Sequence, residues 1–200
     1  EQIGPVDVVL ICVKTPALEL AAADALPLLG PESVVLGLQN GIDAAERIGA
    51  VVGAGRVLGA ATWIAANIEA PGVIRQVSSF RRIVAGELDG RMTDRLERVV
   101  AALKSMGIAV EASADIRKVL WTKFVFIAGF SAVGTVTGLA VGDFRAVPET
   151  RAMLVALLRE VEAVGRGLGV ALDPDVVDQA LAIMDGAEPG MRTSMQRDVA

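Results

Sequence analysis

Up to residue 112 the chain alternates short apolar runs with amphipathic stretches, and beyond Ser113 no run of strand character remains. That switch of hydrophobic period limits the fold more than any other feature. Residues 6–13 read as a fully buried strand, followed by Thr15 as N-cap and Pro16 at the first position of a helix running to about Leu29, where Gly30-Pro31 would stop it. Residues 33–38 read as a second strand. Asp43 with Glu46 gives a capping-box-like start to a short helix ending at Val52. A β-α-β-α order of this kind implies parallel strands joined by right-handed crossovers.

From Arg56 the β-prone segments shorten to residues 57–65, 72–78 and 82–85, punctuated by Pro71-Gly72 and Asp89-Gly90, and read as antiparallel or edge-like. A helix then sets Leu96, Val99, Val100, Leu103 and Met106 on one face, ends at Gly107 and leads into a brief strand at 108–111. Past this point Ser113 or Asp115 caps a helix through Trp121. Leu154, Leu157, Leu158, Val161, Val164 and Leu168 make the next apolar stripe, and Asp173-Pro174 opens a helix bearing Val177, Ala180, Leu181 and Met184. The expected division is therefore an α/β part, 1–112, followed by an all-α part, 113–200.

Composition removes several functions. A net charge of -5 with scattered basic residues argues against a nucleic-acid partner. The chain has no histidine, which excludes Ser-His-Asp and Cys-His chemistry and histidine-ligated metal sites, and no metal is expected. The lone Cys12, set in an apolar run, reads as a small core residue in a reducing compartment, the cytoplasm. Residues 124–142 form nineteen residues without a charge, long enough to span a bilayer. Gly129, Gly134, Gly138 and Gly142, with Ser131, Thr135 and Thr137, instead suit a buried core helix that breaks near Gly138. No signal peptide is recognisable at the start, which also lacks an initiator Met.

In an open parallel sheet, ligands bind beyond the carboxyl ends of the strands. The first strand runs out into Lys14-Thr15 and the second into Gln39-Asn40-Gly41, which offers a cation and an amide to one crevice. The same residues also suit a plain account, with Thr15 as a cap, Lys14 solvated and Asn40-Gly41 as a turn. Lys123 is one of only four lysines and sits in the apolar stretch 120–126. Desolvation there would lower its pKa toward that of a proton donor near neutral pH, or its head would snorkel to water. Gly53-Ala54-Gly55-Arg56-Val57-Leu58-Gly59 imitates a phosphate loop, but the spacing is GxGxxxG and no helix follows, so it reads as a turn into the next strand.

These pieces resemble the ketopantoate reductase family, the NADPH-dependent 2-dehydropantoate 2-reductases. The segments that carry the resemblance are residues 7–15, Leu38-Gln39-Asn40-Gly41, Pro71-Gly72 with Gly86-Glu87, Asp115-Ile116 with residues 120–124, and residues 193–198. The resemblance implies a partial Rossmann-like, doubly wound domain without its first βαβ unit, followed by a helical domain of the 6-phosphogluconate dehydrogenase-like type. It implies NADPH as cofactor, with Lys14 and Asn40 beside the nicotinamide and ribose, Lys123 as general acid, and Ser194 on the substrate carboxylate. The substrate would be a small 2-oxo acid, in the first place 2-dehydropantoate, reduced to (R)-pantoate on the route to pantothenate and coenzyme A. A helical part without its terminal helices would expose an apolar patch, which favours association as a homodimer.

The family typically offers asparagines one and two helical turns past the lysine, where this chain has Ile127 and Ser131, so the resemblance leaves open which 2-oxo acid is reduced. Compared with the family pattern the chain starts after the GxGxxG segment and stops before the last helices, and alone it is expected to bind NADPH weakly or not at all. A reductase of a different 2-oxo acid is one alternative. A non-catalytic helical interaction module, or one associated with a membrane, is the other.

Overall fold

The structure is a computed structural model that describes residues 3–78 and 80–199. Two compact units make up the chain, residues 1–120 and 121–200.

The first unit is built on a five-stranded sheet of order β1-β2-β3-β6-β7. β1 (Val6–Ile11) leads through α1 (Leu18–Asp24) to β2 (Leu29–Gly37), and α2 (Ala44–Val52) leads on to β3 (Val57–Trp63). β1 and β2 are parallel, with Ile11 opposite Gly37, and β2 and β3 are parallel through Val35 and Leu36 against Val57 and Leu58. The expected parallel pairings, each joined through a helix, are therefore present.

β4 (Ala66–Ala70) and β5 (Val73–Gln76) form a separate antiparallel hairpin. The chain returns in β6 (Arg82–Gly86), antiparallel to β3, and passes through α3 (Asp94–Ser105) to β7 (Val110–Ala112), parallel to β6.

Alternation along β2 accounts for its continuous apolar run. Val34 and Leu36 join Leu58, Ala60, Ile83 and Ala85 under Leu96, Val99, Val100 and Leu103 of α3. Val35, on the opposite face, joins Ile11 and Val57 under Leu18, Ala22, Ile48 and Val52 of α1 and α2. A strand covered on both faces has no polar side to show.

Several local expectations are corrected. β1 lies at the sheet edge and is mostly half-buried rather than fully buried, because only β2 flanks it. It ends at Ile11, so Cys12 lies beyond the strand and is exposed instead of in the core. Thr15 is not a cap: it begins a single 3-10 turn, Thr15–Ala17, and α1 stops at Asp24. Gly30-Pro31 does not end a helix but lies within β2, where Pro31 is exposed. Met106, expected on the inner face of α3, is 65% exposed because it follows the last helical residue and Gly107 turns the chain with φ +78°.

α4 (Ile116–Thr137) starts in the first unit, with Asp115 Oδ1 accepting from the Lys118 N–H at 2.9 Å, and continues into the second. The second unit adds α5 (Val141–Ala146), α6 (Pro148–Gly167), α7 (Val176–Asp185) and α8 (Ser194–Val199). α4 is long and apolar enough to cross a membrane by length and composition alone. Its inner face is core, however: Val125 and Val133 are fully buried, and a methyl group at Gly129 would fall 2.7 Å from Leu158 Cδ2 of α6. The helix ends where expected, at Gly138 with φ +68°. Along α6 only Leu154 and Leu158 of the expected stripe are buried, whereas Val164 and Leu168 are exposed near the helix end.

Candidate active site

In the first unit the parallel register brings the ends of β1 and β2 level, so their following loops sit side by side. Lys14 is exposed, in extended backbone just before the 3-10 turn, and Asn40 is exposed before Gly41, whose φ of +115° turns the chain toward α2. Two cross-links join these loops, and composition shows neither. Gln39 Nε2 donates to the carbonyl oxygens of Ile11 at 3.0 Å and Val13 at 2.9 Å. Arg47 of α2 donates from Nη2 to the Thr15 carbonyl at 3.1 Å and pairs with Glu19 of α1 through Nε at 2.6 Å, which holds the Glu19 carboxyl below its usual range. The strand-end cation and amide are thus carried on a braced edge.

The glycine-rich stretch at 53–59 behaves as a turn. Gly53 has φ +94°, a 3-10 turn follows at Ala54–Arg56, and β3 begins at Val57. Arg95 of α3 donates to the Gly55 carbonyl, which anchors that turn from the opposite side of the sheet.

In the second unit Lys123, Ile127 and Ser131 follow one another at a spacing of four on α4. They form one stripe with a rise of about 6 Å per step. Lys123 and Ile127 are half-buried and Ser131 is 5% exposed. Burial lowers the Lys123 pKa to about 8, since an ammonium loses hydration there. Trp121 and Phe124 meet edge to face beside it, with ring centroids 5.8 Å apart. The sequence pointed to this lysine for that reason.

Ser194 is exposed at the first position of α8. Its placement depends on neighbours that sequence reasoning missed. Gln196 Oε1 accepts from the Thr193 N–H at 2.8 Å, while Thr193 Oγ1 accepts from the Gln196 N–H at 3.0 Å. This is a reciprocal capping box whose T-x-x-Q pattern is legible at residues 193–196. The box rests on Gly134, one turn beyond Ser131, where a methyl group would fall 2.9 Å from Gln196 Oε1 and 3.0 Å from Thr193 Cγ2. Among the described residues no cluster of acidic or cysteine side chains suited to a metal ion occurs.

A Rossmann-like sheet with polar loops at its strand ends, followed by an all-helical unit carrying a desolvated lysine, places the chain in the class of two-part oxidoreductase folds. The chain belongs to the ketopantoate reductase family. The family model described as Ketopantoate reductase PanE/ApbA matches residues 1–90, and that of its C terminal matches residues 115–200.

The relatives agree. An uncharacterized oxidoreductase, YkpB, of Bacillus subtilis (strain 168) is 30% identical over 196 residues, which cover 98% of this chain and 65% of that protein. A 2-dehydropantoate 2-reductase of Mesorhizobium japonicum is 27% identical, covering 100% of this chain and 66% of its own length. The crystal structure of 2-dehydropantoate 2-reductase from Geobacter metallireducens GS-15 superposes with a TM-score of 0.89 at 27% identity, covering 98% of this chain and 65% of that one. The chain thus spans about two-thirds of the length of these proteins.

Proposed function

We propose that the chain is the strand-end and helical portion of an NADPH-dependent reductase of 2-oxo acids, converting 2-dehydropantoate to (R)-pantoate in the cytoplasm on the route to pantothenate and coenzyme A. The observation that carries this reading is the Lys123 ammonium, half-buried on α4 with a pKa lowered to about 8, in a member of this family. Bound NADPH supplies the hydride. Lys123 donates its proton to the ketone oxygen as the carbonyl carbon becomes tetrahedral. A lysine of that pKa is largely protonated at neutral pH, yet releases its proton far more readily than an ordinary one.

A nicotinamide nucleotide at the β1–β2 edge is supported by the donor set found there. The Lys14 ammonium and the Asn40 amide stand on adjoining loops, with the N-terminus of α2 beside them. These two side chains hold the nicotinamide–ribose end, and Ser194 binds the substrate carboxylate.

Ile127 favours a second reading, in which the substrate is a different 2-oxo acid. An isoleucine offers no hydrogen bond where a polar side chain would select a substrate hydroxyl. Both readings are tested in the complete gene product by following NADPH oxidation with 2-dehydropantoate and with 2-oxo acids bearing apolar side chains. Preference for the latter selects the second reading. Lys123→Ala should lower kcat by about 10²–10⁴ with any of them, and turnover equal to wild type would remove Lys123 from the chemistry.

A further inference from the structure

Lys14 stands in a loop whose residues 12–14 are all exposed, yet the backbone there is held at every step. The Val13 carbonyl oxygen accepts from Gln39 Nε2 at 2.9 Å, that of Lys14 from the Ala17 N–H at 2.9 Å, and that of Thr15 from Arg47 Nη2 at 3.1 Å. Two of these donors come from the chain that follows β2. Gln39 immediately precedes Asn40, and Arg47 lies on α2, the helix to which Asn40 leads. The carbonyls on either side of Lys14 are thus tied to the residue next to Asn40 and to the helix beyond it.

Stability alone does not call for this arrangement. Carbonyls in an exposed loop are readily satisfied by water, so the donors at Val13 and Thr15 set the course of the loop instead of rescuing buried groups. Arg47 is also the fourth residue of α2, near the end where the helix dipole disfavours a cation. Acceptors on other elements fix its place. Besides Thr15 it meets Glu19 of α1 in a fork, from Nε at 2.6 Å and from Nη2 at 3.0 Å, with Asp43 Oδ2 3.5 Å from Nη1. A planar guanidinium holds such a set at one geometry, which an ammonium on a flexible stem does not.

We propose that Arg47, together with Gln39, is a positioning residue that presets Lys14 relative to Asn40 before the cofactor arrives. On the reductase reading, on which this rests, those two side chains take the nicotinamide–ribose end of NADPH. A loop that must first be ordered lowers apparent affinity by the fraction of time it spends in the competent state. Only the half of the cofactor that meets Lys14 and Asn40 feels that loss.

Calorimetry on the complete gene product compares NADPH with adenosine 2′,5′-bisphosphate, which lacks the nicotinamide–ribose end. Arg47→Met should weaken NADPH about tenfold, as for a loop in place about one-tenth of the time, and leave the adenosine bisphosphate within about twofold of wild type. Arg47→Lys can bond Thr15 or Glu19 but does not hold both in the fork, so it should fall between the two, and it carries the same comparison if the methionine variant fails to fold. An arginine that serves the fold alone would weaken both ligands alike or neither, and either result overturns the positioning role while the reductase reading stands. A wild type that binds no NADPH overturns the reading and the positioning role together, so the two failures are distinguishable.

Discussion

Ile116, the first residue of α4, lies against Gly86 at the end of β6: a methyl group on Gly86 would fall 2.8 Å from Ile116 Cβ and 2.5 Å from the Ser113 carbonyl oxygen. Gly59 of β3 meets the same side chain, with Ile116 Cγ1 3.0 Å from where its methyl would be. Two glycines on neighbouring strands thus let the start of the long helix sit close on the sheet. That contact is why the first turn of α4 belongs to the first compact unit.

Gly86→Ala is expected to destabilise the protein by about 1–3 kcal/mol, because a carbonyl oxygen and a Cβ cannot rotate away as a flexible side chain could. Gly167→Ala is the control. It lies at the last position of α6 with nothing within 4 Å of the added methyl, and should be neutral or stabilising by about 0.5–1 kcal/mol. Urea unfolding of the two variants compares them directly, and equal midpoints would show that the Ile116 contact is looser than described.

Lys123 should set a pH dependence of both activity and stability. As the proton donor it must be charged, so reduction should decline as pH rises through about 8, and the reverse oxidation should gain over the same range. For stability the sign follows from a folded pKa below the unfolded one. Between pH 8 and about 10.4 the unfolded chain holds more protons, so this group makes stability rise with pH there, and its penalty is complete below pH 8. Lys123→Met should therefore raise stability at pH 7, by up to about 3 kcal/mol, while abolishing turnover. The gain should fade toward pH 10, and a gain independent of pH would point to packing instead of charge.

Glu87 provides a second titration of opposite sense. It is 4% exposed at the end of β6 and accepts from Arg95 Nε at 2.7 Å and from Thr93 Oγ1 at 2.5 Å, and these bonds hold its carboxyl below the usual value of 4.5. A depressed carboxyl stabilises the fold above its unfolded pKa, and the contribution is lost as pH falls below about 4.5 through the folded value. Arg95→Met should cost about 3–5 kcal/mol at pH 7, because it strands a buried carboxylate. Part of that loss should disappear in acid as Glu87 takes up a proton. Thermal melts at pH 4 and pH 7 give the comparison, and a deficit as large in acid would assign the loss to packing.

What the sequence disclosed and what it concealed follow from range. Most of the strand and helix order along the first unit was legible because apolar periodicity is local, as in Val34–Leu36 and in Leu96, Val99, Val100 and Leu103, whereas the exposed strand β4 at Ala66–Ala70, which has no buried face, was missed. Lys123 was legible for the same reason, from its apolar neighbours. The early end of α1 at Asp24 and the start of β2 at Leu29 were hidden, since pairing of Leu29 with Val6 overrode the stop expected at Gly30-Pro31. Gln39 drew no reading of its own because its partners lie 28 and 26 residues away in sequence. Gln196 escaped attention because α8 is only six residues long and shows no apolar period, although its capping pattern was there to be read.

That capping box makes the remaining prediction. Gln196 closes the turn at Thr193 and also donates from Nε2 to the Leu139 carbonyl at 2.9 Å, which ties α8 to the segment that follows α4. Gln196→Ala removes the cap and leaves the carbonyl of Leu139 without this donor, at an expected cost of about 1–2 kcal/mol. Ser194 is the residue held by the box, and on the proposed function it binds substrate rather than cofactor. The variant should therefore raise KM for the 2-oxo acid while NADPH affinity and the pH profile from Lys123 stay as in wild type. Gln196→Glu keeps an acceptor for the Thr193 N–H but loses the bond to Leu139, and should fall between the two in stability and in KM. Steady-state kinetics against both substrates separates the cases: loss of kcat with KM unchanged would mean that α8 supports the helical unit as a whole and does not position Ser194 for the substrate.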